Sequence, residues 1–211
     1  MNPAKSSKYH HGDLKNSLIG CGLEILSKDG IQGLSLRNVA KRAGVSEAAP
    51  YRHFKDKEAL IAAIGEQGFI RLAARLETAA EEHSEEAKIL FFQSGLAYVH
   101  FARENPDAMR VMFRFRNADG EVEYPALQEA ADEAFSFLID MVEYCQQAGL
   151  ARPGHPMPLA LSAWSAVHGL SMLLIDNCIS NEVLQGIDDQ SLLLTTLEIV
   201  LHGWQATPDT L

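Results

Sequence analysis

Cysteine is scarce in this 211-residue sequence: Cys21, Cys145 and Cys178, with no CxxC pair. An odd, scattered set of thiols in apolar helical stretches argues against a disulfide framework or a zinc site. It fits buried, reduced thiols in a cytoplasmic protein. Long apolar runs are also missing. The longest uncharged stretch, 156–175, is interrupted by serines, prolines and His168, so it reads as a buried helix; a membrane span needs about 20 predominantly apolar residues. The first residues, MNPAKSSKYHHGDLKNS, lack the apolar core of a secretory signal. No run alternates apolar and polar residues long enough for a strand. GxSxG, Walker-type and GxGxxG motifs are absent, and no histidine has Glu three places before it. Hydrolase, nucleotide, dinucleotide and di-iron chemistry thus lack their residues, and the expectation is a protein that is not an enzyme and needs no cofactor.

The formal charge of −10 by itself argues against a nucleic-acid partner, but it hides an asymmetry. Residues 1–58 hold ten Lys/Arg against six Asp/Glu, and residues 59–211 hold eight against twenty-two. A basic head on an acidic body suits a molecule that brings one face to phosphates and repels them elsewhere. An accidental solvated basic face accounts for the charge equally well.

What is present is helical periodicity nearly throughout, with breakers at the joints. Asp13 is placed to cap a first helix carrying Leu14, Leu18, Ile19, Leu23 and Leu26 and ending near Gly30. Ser35 caps a short second helix, LRNVAKRA, ended by Gly44. Ser46 caps a third, EAAPYRHF, and Asp56 a fourth from Lys57 to about His83. A fifth is expected from Ser84 to Glu104, closed by Asn105-Pro106, and a sixth from Asp107 to Phe115. Arg116 to Glu123 reads as a mobile loop. A seventh helix runs from Pro125 to Gln147, followed by a rigid Pro-rich connector at 152–158, and two more cover about Leu159 to Asn181 and Asp188 to Gln205.

The informative stretch is Leu34 to Phe54, LSLRNVAKRAGVSEAAPYRHF. Two short helices joined by a Gly-containing turn allow the second to lie in a DNA major groove while the first braces it. Ala40 is small where the helices cross, and Gly44 stands where a left-handed backbone is needed. Val39, Val45 and Phe54 are expected to share a core with Leu14, Leu18 and Leu60.

Residues 9–64 resemble the DNA-binding domain of the TetR family of bacterial regulators. The resemblance rests on Leu34-Ser35-Leu36-Arg37, Ala40, Gly44-Val45-Ser46, Tyr51, His53-Phe54, Lys57 and Leu60. It implies that Arg37, Glu47, Ala48 and Ala49 face base edges and that Tyr51, His53 and Lys57 hold phosphates. The ends marked by Ser35 and Ser46 offer backbone N–H groups to phosphate oxygens. Pro50 departs from the family pattern, where an apolar side chain such as leucine is usual, and predicts an irregular helix start. Ala48 and Ala49 cannot hydrogen-bond bases, so readout leans on thymine methyls, Arg37 and DNA shape. The N-terminal arm with Lys5, Lys8, Tyr9, His10 and His11 either follows the minor groove or a phosphate strand, or is a disordered tail. His10-His11 lacks further ligands at metal-site spacing.

Beyond residue 84 the chain is rich in Met and aromatic side chains, a stripe more often core than cofactor site. The resemblance implies an effector cavity in these helices, with Phe92, Leu96, Met109, Met112, Phe113, Phe135, Trp164, His168 and Met172 as its wall. Trp164-Ser-Ala-Val-His168-Gly169 is similar to the element of a subgroup named for Trp-His-Gly. His168 meets either a ligand or a neighbouring carbonyl. The last two helices are apolar on more than one side. In the family the corresponding pair forms a four-helix dimer interface, here Leu161, Leu170, Leu173, Leu174, Leu193, Leu197, Val200, Leu201 and Trp204.

The expected architecture is all-α with about nine helices: a three-helix helix-turn-helix domain, 1–56, and a larger helical effector-binding and dimerisation domain, 57–211. The resemblance implies a homodimeric repressor that binds a near-palindromic double-stranded DNA operator and is released by a small apolar or aromatic effector, without membrane involvement. The competing reading is a ligand-binding helical module whose helix-turn-helix is not functional.

Overall fold

The computed structural model describes residues 11–83, 85–115, 123–184 and 186–205. Residues 116–122 of the loop expected from Arg116 to Glu123, and the arm at 1–10, lie outside them. All regular structure among the described residues is helical: α1 (His11–Gly33), α2 (Leu36–Ala43), a 3-10 turn (Pro50–Arg52), α3 (Lys57–His83), α4 (Ala87–Glu104), α5 (Pro106–Met112), α6 (Pro125–Gln147), α7 (Pro156–Ile175), α8 (Asn181–Leu184) and α9 (Asp189–Gln205). The chain forms two compact units, one from Met1–Gly68 with Asp107–Gln128, the other from Phe69–Pro106 with Glu129–Leu211.

The first unit is built on a shared apolar core. Leu18, Ile25, Leu34, Leu36, Val39, Phe54, Leu60, Ile61, Ile64 and Val111 are buried in it, with Leu14 and Val45 packed at its margin. Burying each of the larger aliphatic side chains stabilises the unit by about 1.5–3 kcal/mol. α1 already begins at His11, so Asp13 falls inside its first turn instead of capping it. Gly30, at φ 66°, breaks the helical path where an end was expected, and one further turn reaches Gly33. Ser35 then caps α2 by accepting from the Asn38 N–H at 3.1 Å, and Gly44 ends it at φ 68°. The Arg42 guanidinium pairs with Glu24, tying α2 back to α1. α3 starts on Asp56, whose carboxylate accepts from the Ala59 N–H at 2.8 Å. α5 lies close against α3, because a Cβ on Gly68 would stand 2.7 Å from the Met112 sulfur.

In the second unit α7 packs against both α4 and α9. Its apolar length satisfies the crude test for a membrane span, yet Leu159, Ala160, Ala163, Val167 and Leu170 are buried within the protein. The Trp204 indole donates to Ser162 Oγ at 2.8 Å and meets the Phe91 ring edge-on, centroids 4.9 Å apart. α7 differs from its expected span at both ends. It starts three residues early because Pro156 and Pro158 lie in its first turn, where missing N–H groups cost nothing. It stops at Ile175 because Asn177 turns left-handed, φ 51°, and the Cys178 N–H bonds the Leu173 carbonyl. That early stop leaves Cys178 exposed, contrary to the expected burial, whereas Cys145 is buried and Cys21 half-buried. α5 ends at Met112 instead of Phe115, and α9 is capped by Asp188, which accepts from the N–H and hydroxyl of Ser191.

Candidate nucleic-acid interface

The largest departure from expectation lies in the segment proposed to read DNA. Glu47 to Phe54 is no α-helix: only Pro50–Arg52 is helical, and in the 3-10 form. The cause is Pro50, which has no N–H to send to the Ser46 carbonyl and whose ring crowds that carbonyl. Ser46 O instead accepts from the Ala49 N–H at 2.9 Å, and Arg52 and His53 continue the short-range pattern onto Ala49 and Pro50. Ser46 is therefore not a helix cap; the residue before the 3-10 turn is Ala49, with no side-chain cap.

The tight path still sorts the side chains. Pro50 is buried, while Ser46, Glu47, Ala48 and Tyr51 are exposed, Tyr51 by 61%. Across the turn, Arg37 Nε donates to Glu47 Oε1 at 2.9 Å, and both side chains stay solvent-facing, 76% and 68% exposed. Ser35 spends its hydroxyl on the α2 cap. Ala49 is half-buried. Arg37, Ser46, Glu47, Ala48 and Tyr51 thus form the exposed part of the expected reader.

His53 and Lys57 are less available. The His53 Nε2 is shielded from solvent without a hydrogen-bond partner, and the ring lines a cavity of about 210 Å³ with Lys15, Glu66 and Tyr124. Lys57 is half-buried, and its ammonium donates to the Ile31 carbonyl just beyond the Gly30 break. An ammonium has three donors, so two remain for a phosphate. The sequence reading passed over two exposed cations on the same unit, Lys41 in the last turn of α2 and Arg52 beside Tyr51. A net-positive head was the available signal.

Two profiles of one family cover most of the chain. Residues 18–64 match the bacterial regulatory proteins of the tetR family, and residues 91–190 match the tetracyclin repressor-like C-terminal domain. The chain belongs to the TetR family of bacterial regulatory proteins. It is 41% identical over 51 residues to the class A tetracycline repressor of transposon 1721 from Escherichia coli, a match covering 24% of each chain. The chain thus spans only about a quarter of the length of that curated relative. A Rhodococcus sp. RHA1 protein of unknown function has a similar structure, with TM-score 0.81 and 33% identity over 95% of this chain and all of the other. FadR of Bacillus subtilis, solved with stearoyl-CoA, shares the fold at TM-score 0.69 and 17% identity, over 89% of this chain and 98% of its own.

The residues expected to meet an effector in this TetR-family chain divide between the two units. Met109 and Met112 are fully buried in the first, and Phe113 is half-buried there. In the second, Phe135 meets Trp164 edge-on at 5.9 Å between centroids, and Trp164 neighbours His168 at 5.7 Å. A residue absent from the expected set completes this group: the Tyr98 hydroxyl lies 2.8 Å from His168 Nδ1. Burial pushes the Tyr98 phenol up and holds the His168 imidazole below its ordinary range. A buried tyrosine needs a partner for its hydroxyl, which was the available clue. Ser94, buried one turn before Tyr98 on α4, has a hydroxyl without a hydrogen-bond partner. Phe92 packs edge-on against Phe91 and Met172 is half-buried. Leu96 lines an open groove of about 740 Å³ with Arg71, Arg75, His100 and Phe101.

The expected dimer residues are also divided. Leu170, Leu193, Leu197, Leu201 and Trp204 are buried within their own chain, because α9 packs inward on α4 and α7. Leu161 and Leu173 are exposed by 43% and 44%, Leu174 and Val200 are half-buried, and Ile199 on α9 is exposed by 68%. Among the described residues no group of three or more His, Cys, Asp or Glu side chains is placed to hold a metal.

Proposed function

We propose that this protein is a sequence-specific DNA-binding transcriptional regulator, a cytoplasmic homodimeric repressor that leaves its operator when a small effector binds. The single observation that carries the reading is the exposed edge formed by Arg37, Glu47, Ala48 and Tyr51, held on a buried core by capped α2 and the 3-10 turn. Residues 1–56, with Lys57 at the start of α3, are the reader and the rest of 57–211 the effector and dimer region, a functional boundary that falls inside the first compact unit. Phosphate contacts from Tyr51 and Lys57 position the reader; Arg37 and the residues after Ser46 specify sequence.

Dimerisation is supported by the exposed apolar side chains Leu161, Leu173 and Ile199 on α7 and α9, which a twofold contact would cover. A twofold dimer presents two readers to a near-palindrome, with half-sites about 34–36 Å apart. An effector with an apolar or aromatic body suits Phe135, Trp164 and the half-buried Phe92 and Met172, and Tyr98, His168 and Ser94 offer it polar contacts. FadR, of the same fold, was solved with stearoyl-CoA, a ligand whose acyl chain is long and apolar. The effector need only bind the DNA-incompetent state better than the competent one.

The test is selection of bound duplexes from a random DNA pool, followed by titration of the enriched duplex at several salt concentrations. Enrichment of a near-palindrome, with affinity falling as salt rises, is the expected result. A pool that returns no preferred sequence would leave the rival reading, a ligand-binding module with a silent helix-turn-helix.

A further inference from the structure

The Arg37–Glu47 ion pair joins two solvent-exposed residues ten positions apart in the first unit. An exposed pair of this kind adds little to stability, so bracing the fold does not account for it. Its neighbours Ala48, Ala49 and Pro50 carry no side-chain hydrogen-bonding groups. Between the hydroxyls of Ser46 and Tyr51, Glu47 is the one hydrogen-bonding side chain of this edge, and it is bonded to Arg37.

We propose that Arg37 and Glu47 read one G·C base pair as a single unit, Arg37 donating to guanine N7 and O6 while Glu47 accepts from the N4 amino group of the paired cytosine. The proposal rests on the reading of this unit as a DNA reader. Arg37 Nε is engaged by Glu47 Oε1, which leaves the terminal guanidinium N–H groups for an outward target. A guanidinium's natural major-groove partner is guanine, whose edge presents two acceptors side by side. Glu47 can only accept, so guanine N7 and O6 and thymine O4 repel it. The groups that suit it are the amino donors of cytosine and adenine. Because Glu47 is hydrogen-bonded to Arg37, its target must adjoin the arginine's. In a G·C pair the major-groove edge runs acceptor, acceptor, donor, the complement of a guanidinium with a carboxylate beside it. The arginine also neutralises a carboxylate that phosphates would otherwise repel, and the pair holds two long side chains in register before DNA arrives.

The opposite role is a lock, in which Glu47 occupies Arg37 and DNA must displace it. The exposure of the paired Arg37 favours presentation over masking. The test uses the full chain and the duplex enriched from a random pool, with each base pair replaced in turn. Binding of wild type, Arg37→Ala, Glu47→Ala, Glu47→Gln and the double alanine variant is followed by fluorescence anisotropy. Circular dichroism confirms that each exposed-site variant is folded. For wild type, replacing one G·C pair per half-site should weaken binding roughly five- to hundred-fold. Arg37→Ala and Glu47→Ala should each abolish the preference at that same base pair and leave the others intact, with the double variant no worse than the Arg37 variant. Glu47→Gln, whose amide still offers an acceptor oxygen, should keep part of it. Retention of the full preference in Glu47→Ala, loss at two separated base pairs, or tighter binding of the enriched duplex by Glu47→Ala would each overturn the proposal. If no duplex is enriched, the DNA reader itself falls and the pair with it; an enriched duplex indifferent to Glu47 sinks the pair alone.

Discussion

The ammonium of Lys57, the first residue of α3, donates to the main-chain carbonyl of Ile31, the residue that follows the break in α1. One side chain thus satisfies an interrupted backbone and stands at the edge of the proposed DNA surface. Lys57→Ala is expected to act twice. Loss of a charge-assisted hydrogen bond to a half-buried carbonyl should destabilise the protein by about 1.5–3 kcal/mol, read by urea unfolding. DNA titrations should show weaker binding to all sequences alike and a salt slope lower by about one. A salt slope identical to wild type would confine Lys57 to its structural role.

Pro50 makes a sharper test of the reader's shape. Pro50→Leu restores an N–H able to reach the Ser46 carbonyl and keeps an apolar side chain inward. Residues 47–54 should then gain α-helical character, visible as a slowly exchanging amide at position 50, and the sequence preference should change while non-specific binding persists. An unchanged preference would mean that the 3-10 path does not set the reading geometry.

Burial holds the His168 imidazole below its ordinary value of 6.5. Between 6.5 and the lowered folded value, the unfolded chain binds a proton that the folded chain refuses. Folding stability should therefore fall as pH drops through that window and level off below it. His168→Gln should flatten this slope in denaturant titrations from pH 7 to pH 5. Tyr98→Phe, which leaves Nδ1 without its 2.8 Å partner, should cost about 1–3 kcal/mol.

Gly95 lies against Leu197, and an added Cβ would fall 2.7 Å from Leu197 Cδ1. Gly95→Ala should destabilise the second unit by about 1–3 kcal/mol, because Leu197 must leave its rotamer in a filled core. Pairing it with Leu197→Val should recover part of the loss in thermal unfolding, whereas simple additivity of the two changes would show that they do not meet.

Much of the fold is legible in the sequence. α3 and α6 run over the expected residues because each begins at a local signal, Asp56 before one and Pro125 in the other. Ser35 and Gly44 bracket α2 for the same reason. The failures share a cause in interactions without a local pattern. Periodicity marks α9 as apolar on several sides but not which of them faces α4 and α7, so it does not reveal that Leu193, Leu197, Leu201 and Trp204 are buried within their own chain. Pro50 announced an irregular start, but the propagation of that irregularity through Arg52 depends on the Ser46 carbonyl finding another donor. The Arg37–Glu47 and Tyr98–His168 pairings cross from one segment to another, and spacing along a single helix does not reveal them.

The run Ala48-Ala49-Pro50 has a consequence for descent. With two methyl groups and a locked ring at its centre, the reading edge has no side-chain hydrogen bond to lose at these three positions, but a polar substitution at Ala48 or Ala49 would add one. In duplicate copies of the gene a single codon change at Ala48 or Ala49 could therefore create a new target, whereas a change at Arg37 or Glu47 would also remove the bond between them.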